Sequence, residues 1–191
     1  MKRDIILSGV GGQGILSIAT VIGEAATAAN LSLKQAEVHG MSQRGGDVQS
    51  NLRLSTETIH SDLIAKGQAD LIISMEPMEA LRYLPYLSKD GVIVTSSKPF
   101  VNIPDYPAEE ELVARLKALP HVVMADIETV AKDAGNPKGA NMVLMGMAAS
   151  YIGVIGAEEL RSALARIFER KGGAVVESNC KCFDLGLALG K

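Results

Sequence analysis

The sequence predicts a three-layer α/β fold: a mostly parallel sheet with helices on both faces and an antiparallel edge. Three observations carry this. Apolar runs of strand length alternate with helical patterns along nearly the whole chain, as crossover units between parallel strands require. One segment, Asp47 to Ser55, departs from that pattern by alternating apolar and polar residues with a period of two, which marks a strand with one polar face. The length of 191 residues, 47% of them hydrophobic and 21% charged, suits a single domain over 1–191 with one substantial core.

Taken in order, Asp4 to Ser8 forms a short buried strand, and the Ala-, Ile- and Leu-rich stretch from Gly14 to Ala29 forms a helix that stops at Asn30. Leu33 to Val38 is the next strand. In the alternating segment Val48, Ser50, Leu52 and Leu54 share one face and Gln49, Asn51, Arg53 and Ser55 the other, giving a half-exposed strand. Thr58 to Ser61 is expected to pair with it as a hairpin across Thr56-Glu57 and so to supply the antiparallel edge. Ala69 to Met75 resumes the parallel set. Glu76-Pro77 then opens a helix, since proline in the first turn loses no needed hydrogen bond. Asp90-Gly91 reads as a turn before a strand over Val92 to Ser96. Pro99, Pro104 and Pro107 make 98–107 irregular, and Glu109 to Leu119 is a helix. His121 to Ala125 is the last strand. Helices follow near Ile127 to Ala134, Asn141 to Ile155, Glu158 to Lys171 and Gly173 to Leu189.

Bulk properties exclude several function classes. A net charge of -3 with a pI near 5.6 gives no basic footprint for nucleic acid or an anionic membrane surface. The opening Met1-Lys2-Arg3-Asp4 precedes too short an apolar stretch for a signal peptide, so a cytoplasmic location is expected. The longest apolar run, Met142 to Ala157, falls short of the ~20 residues that cross a bilayer and reads as a buried core helix. Cys180 and Cys182 cannot supply the four thiolates of an ordinary iron–sulfur cluster, and on a helix they point about 200° apart, so buried thiols are expected. Met75, Met78, Met142, Met145 and Met147 read as core filler.

Two constellations could carry chemistry. Directly after the first strand stands Gly9-Val10-Gly11-Gly12-Gln13-Gly14, which matches GxGxxG through Gly9, Gly11 and Gly14 at the mouth of a helix. Small residues let this backbone approach a phosphate, and the helix N-terminus offers free N–H groups and partial positive charge. Three readings stay open: an anion or phosphate site, a Rossmann-type dinucleotide site with Glu37 as the ribose-binding acid, and glycines that only allow close helix–sheet packing. The second constellation, Glu37-Val38-His39-Gly40-Met41-Ser42-Gln43-Arg44-Gly45-Gly46, should lie at the carboxyl edge of the sheet beside the glycine loop. Arg44 is the best candidate for gripping phosphate or carboxylate, with Ser42, Gly45 and Gly46 offering further donors on a backbone that can come close. His39 has no second metal-ligating residue nearby, and its closeness to Ser42 in sequence does not make a catalytic pair. No catalytic residue is assigned. Gly135 to Asn141 is a polar turn in which Asn141 would cap the following helix.

At these residues the sequence resembles the gamma-type subunit of the 2-oxoacid:ferredoxin oxidoreductases, and within them most closely the indolepyruvate members. The matching pieces are Ile5-Ile6-Leu7-Ser8 with the glycine loop through Gly14, Arg44-Gly45-Gly46, Asn141-Met142-Val143-Leu144-Met145-Gly146, and a tail from Glu177 to Gly186 that fits Asn-x-x-x-Phe-x-x-Gly. Pyruvate and 2-oxoglutarate members carry a Tyr-Gly pair ahead of Arg-Gly-Gly. Here the text is His39-Gly40-Met41-Ser42-Gln43, which favours an aryl-pyruvate. The resemblance implies a Rossmann-like fold and a subunit inactive by itself. It also implies thiamine diphosphate and iron–sulfur clusters on a larger partner, ferredoxin as electron acceptor, and coenzyme A as co-substrate. It places Gly9, Gly11, Gly12, Gln13, Gly14, Ser42, Arg44, Gly45 and Gly46 near the coenzyme A side of a shared active site, with no cofactor bound by this chain alone and no metal ligand in it.

Overall fold

The computed structural model describes all residues except 40–44, and only the backbone of His39. In chain order the elements are β1 (Lys2–Val10), α1 (Ile15–Ala28), β2 (Ser32–His39), β3 (Asp47–Ser55), β4 (Ala69–Ser74), α2 (Pro77–Arg82), β5 (Leu87–Ser96), α3 (Glu109–Lys117), β6 (Val122–Ala125), α4 (Ile127–Asp133), α5 (Ala140–Ile152), α6 (Ala157–Phe168) and α7 (Gly173–Leu189). The six described strands form one sheet in the order β2-β3-β1-β4-β5-β6. β1, β4, β5 and β6 pair in parallel, and β3 pairs antiparallel with both β1 and β2.

Side-chain alternation along the parallel strands explains the three layers. Ile5, Leu7, Leu71, Ile73 and Val94 face one side, where they pack with buried residues of α1, α4, α5, α6 and α7. Ile6, Ile72 and Ile93 face the other, against Ala80 of α2, Tyr83 and Leu116 of α3. α5 is apolar all round and almost wholly buried, as a core helix must be. No described helix is long and apolar enough to cross a membrane.

The tail motif has a packing reason. Phe183 is fully buried, and Gly186 lies so close to α5 that a Cβ there would stand 2.8 Å from the Val143 carbonyl carbon and nearer still to its oxygen. Gly146 of α5 makes the reciprocal approach, since a Cβ there would stand 2.8 Å from the Leu187 nitrogen. Asn179 donates to the Val175 carbonyl at 2.8 Å, one turn back in α7. Cys180 and Cys182 are both buried in this helix, and burial pushes both thiols up.

Three expectations are corrected. The hairpin partner of β3 is not Thr58 to Ser61, which forms no strand; the antiparallel edge is β2 against β3. The polar face of β3 is covered by the segment that follows it: Arg53 donates to the Ser61 and Leu63 carbonyls at 2.9 and 3.2 Å, and Asn51 accepts from the Ile64 N–H at 3.2 Å. Arg53 also pairs with the fully buried Asp4 at 2.8 Å, so the residues that read as solvent-facing anchor a strand closed on both faces. Asp90-Gly91 is not a turn but part of β5, beside a register shift between Ala69 and Leu71 of β4.

Candidate functional site

The parallel strands run in the order β2, β1, β4, β5, β6, so the chain turns back across β1 between β2 and β4. α1 lies on one face and α2 on the other, which opens a crevice at the carboxyl ends of β1 and β4, where open α/β sheets bind ligands. The glycine loop stands in that crevice. Gly9 packs against Met75 so closely that a Cβ would lie 3.1 Å from the Met75 Cβ and 3.1 Å from Gln13 Oε1. Gln13 folds back to accept from the Val10 N–H at 2.7 Å, closing the turn. Gly12 and Gly14 hold φ angles of 102° and 80°, a left-handed conformation that side chains disfavour. Among the described residues no side chain caps α1, and none comes within 4 Å of where a Cβ on the exposed Gly12 would stand. The loop therefore presents an uncapped helix N-terminus at an accessible edge, the arrangement that favours an anion.

Of the second constellation, Gly45-Gly46 lies against the glycine loop. The Gly11 N–H donates to the Gly46 carbonyl at 2.8 Å, and the Gly45 N–H to the Gly11 carbonyl at 3.4 Å. Gly45 is held from outside by Asn102, whose Nδ2 donates to its carbonyl at 2.7 Å. Ser42, Arg44 and the His39 side chain lie outside the described residues.

Residues that sequence reasoning missed complete the surroundings. Asn141 does not cap its helix, since α5 begins at Ala140 with Gly139 as cap; its Nδ2 donates to the Gly14 carbonyl at 3.1 Å and ties the glycine loop to α5. Glu76, fully buried, caps α2 by accepting from the Glu79 N–H at 2.9 Å, and also accepts from the Phe100 N–H and the Tyr106 hydroxyl. Glu79 accepts from Arg82 at 2.7 Å, and Tyr83 donates to Asp47 at 2.6 Å. Burial pushes the Glu79 carboxyl up to about 7, and burial with the Asp47 bond pushes the Tyr83 phenol up. Glu128, held by the Ser96 hydroxyl at 2.8 Å, is raised by burial as well. The one available sequence signal was the acid at 76 followed three residues later by another at 79, a cap-like spacing. A second concavity of about 830 Å³ lies on the outer surface between α6 and α7 and shares no residue with this crevice.

Glu37, the would-be ribose acid, is exposed on β2, where Gln35 donates to it at 2.7 Å. β3 lies between β2 and β1, so the adjacency that a dinucleotide site needs is missing.

Fold and site together define a doubly wound α/β fold with a glycine loop at its switch point. The chain belongs to the pyruvate ferredoxin/flavodoxin oxidoreductase family, whose model matches residues 4–189. It is 35% identical to an indolepyruvate oxidoreductase subunit IorB from Pyrococcus horikoshii, over 100% of this chain and 96% of that one. It is 32% identical to the subunit of the same name from Archaeoglobus fulgidus, over 97% and 94%. Among solved structures it resembles the keto/oxoacid ferredoxin oxidoreductase gamma subunit from Geobacter sulfurreducens, with a TM-score of 0.72 at 26% identity over 98% of each chain.

Proposed function

We propose that this chain, as one gamma-type domain over 1–191, is the small subunit of an indolepyruvate or other aryl-pyruvate:ferredoxin oxidoreductase and works only with a larger subunit. The observation that carries the substrate class is the identity of 32–35% to subunits named for indolepyruvate, against 24–26% to those named for 2-oxoglutarate. The loop text ahead of Arg44-Gly45-Gly46 agrees with that choice.

The larger subunit would hold thiamine diphosphate, which supplies the decarboxylation chemistry, and the clusters that pass electrons to ferredoxin. This chain's buried Cys180 and Cys182 do not suit a cluster. Its glycine loop does suit the phosphates of coenzyme A: the uncapped α1 N-terminus and exposed Gly12 supply donors at an open edge, and Arg44 would add a planar, charge-assisted grip. Phe100, Val101 and Ile103, exposed by 45%, 68% and 45% near the Gly45 side of the crevice, would form the apolar rim that the larger subunit covers. The assembled enzyme would be cytoplasmic.

The test is reconstitution with the larger subunit and measurement of ferredoxin reduction with indolepyruvate, phenylpyruvate, pyruvate and 2-oxoglutarate. Aryl-pyruvates should lead by at least about tenfold in kcat/KM, or ~1.4 kcal/mol. Arg44→Ala should lower efficiency about 10- to 150-fold, chiefly through the KM for coenzyme A. Preference for pyruvate or 2-oxoglutarate overturns the substrate class, and unchanged kinetics with unchanged assembly overturns the role of Arg44.

A further inference from the structure

Beneath the Gly45–Gly46 turn lies a group of ionisable side chains that the proposed reaction does not use. Asp47 is the first residue of β3, opposite Val10 at the mouth of the glycine loop. Its Oδ2 accepts from the Tyr83 hydroxyl at 2.6 Å, while its Oδ1 is buried and has no hydrogen-bond partner among the described residues. The Glu79 carboxyl, 1% exposed, lies within hydrogen-bonding reach of Asp47 and is gripped from its other side by Arg82, through Nε at 2.7 Å and a terminal nitrogen at 3.3 Å. Two carboxyl groups thus lie together with one guanidinium, which bonds to Glu79, and among the described residues a buried Asp47 oxygen lacks a donor.

We infer that a proton held on Glu79 and shared as a hydrogen bond with Asp47 latches the Gly45–Gly46 turn and the start of β3 to α2. A proton on Glu79 provides the donor that Asp47 Oδ1 lacks and removes one of two adjacent negative charges. Without it two neighbouring carboxylates must both be ionised, which like-charge repulsion and the burial of Glu79 disfavour. The groups facing Glu79 all bear on this balance. Burial raises the Glu79 pKa most, Arg82 lowers it and Asp47 raises it by charge and hydrogen bond, and together they leave it at about 7. Tyr83 binds Asp47 from the end of α2, Glu76 binds the Glu79 N–H, and the loop residue Tyr106 bonds to Glu76 and feels the Glu79 charge. The latch reaches the glycine loop because Gly46, next to Asp47, supplies the carbonyl that holds the Gly11 N–H.

The sign of the effect follows. The folded chain binds this proton more tightly than the unfolded chain, whose Glu79 titrates at the ordinary 4.5. Its stabilisation is fully present below 4.5 and is lost as pH rises through about 7. The experiment is a carbon-detected NMR titration of the side-chain carboxyls in the full chain, combined with amide exchange at Gly11 corrected for the intrinsic rate. Glu79 should titrate near 7, and Gly11 protection should fall about tenfold between pH 6 and 8, a loosening of ~1.4 kcal/mol. Glu79→Gln keeps a donor toward Asp47 without a titrating group and should make Gly11 protection independent of pH. Titration of Glu79 in the ordinary carboxylate range would overturn the shared proton in the wild-type chain alone. Equal loss of Gly11 protection in the Glu79→Gln chain would overturn the latch.

Discussion

Replacing Gly186 by alanine tests the claim that the fold depends on backbone contact between α5 and α7. The added Cβ would stand 2.8 Å from the Val143 carbonyl carbon and 3.0 Å from its Cα, with the carbonyl oxygen closer than either. Comfortable carbon–carbon separations are about 3.5–4.0 Å, so the helices must part by roughly 1 Å. The neighbour is helix backbone and not the end of a flexible side chain, so it cannot rotate away. Parting the helices also loosens Phe183, which is fully buried between them and the rest of the core. Overpacking of this kind costs about 1–3 kcal/mol, and backbone contact puts Gly186 at or above the top of that range. Alanine returns about 1 kcal/mol through better helix propensity, leaving a net loss near 2 kcal/mol. At about 2–4 °C per kcal/mol for a chain of this size, Tm should fall by roughly 4–8 °C. Gly23 in α1 is the control: its Cβ would meet only Leu33 Cδ2, at an ordinary 3.5 Å. Gly23→Ala should therefore raise Tm by about 2–4 °C, since only the propensity gain operates. Differential scanning calorimetry of the three chains decides the matter. If Gly186→Ala melts at or above the wild-type temperature, the contact is not what closes the two helices.

Two further substitutions probe the strands that frame the crevice. Asp4→Ala should destabilise by about 3 kcal/mol in chemical denaturation, because it takes the only described carboxylate partner from the Arg53 guanidinium, whose side chain is only 17% exposed; a loss under about 1 kcal/mol would show the pair to be dispensable. Gln13→Ala should cost about 1–2 kcal/mol and speed exchange of the Val10 amide, while Gln13→Glu, which keeps an acceptor at the same reach, should restore most of the protection.

Much of this architecture was legible in the sequence because local periodicity reports it directly. Terminal helix α7 runs from Gly173 to Leu189 as expected, and the glycine loop sits between β1 and α1 where a turn and a close approach were both needed. What failed were decisions about neighbours. The alternation in β3 revealed a polar face but not what covers it, since Asn51 and Arg53 look the same in sequence whether they meet water or, as here, the Ile64 N–H and the Ser61 and Leu63 carbonyls. Asn141 looked like a cap because Asn is a good one; its bond to Gly14 spans 127 residues, and no local rule reaches that far. Asp47 and Glu79 went unnoticed for the same reason. Each is an ordinary acid in its own segment, and their chemistry arises only where the start of β3 meets α2.

The placement of β3 also bears on what the glycine loop can bind. In a dinucleotide fold the acid that holds the ribose sits at the end of the strand beside β1, one strand spacing of about 4.8 Å away. Here β3 occupies that place, and Glu37 on β2 is moved out by a second spacing. β3 runs antiparallel to β1, so its first residue, not its last, lies at the carboxyl edge of the parallel strands. That puts Gly46 and Asp47 beside Gly11, in place of a ribose-binding acid. Under the proposed function the loop would keep donors for a phosphate without the acid that holds a ribose in a dinucleotide fold. It would then grip one end of coenzyme A and leave the reacting end to the larger subunit.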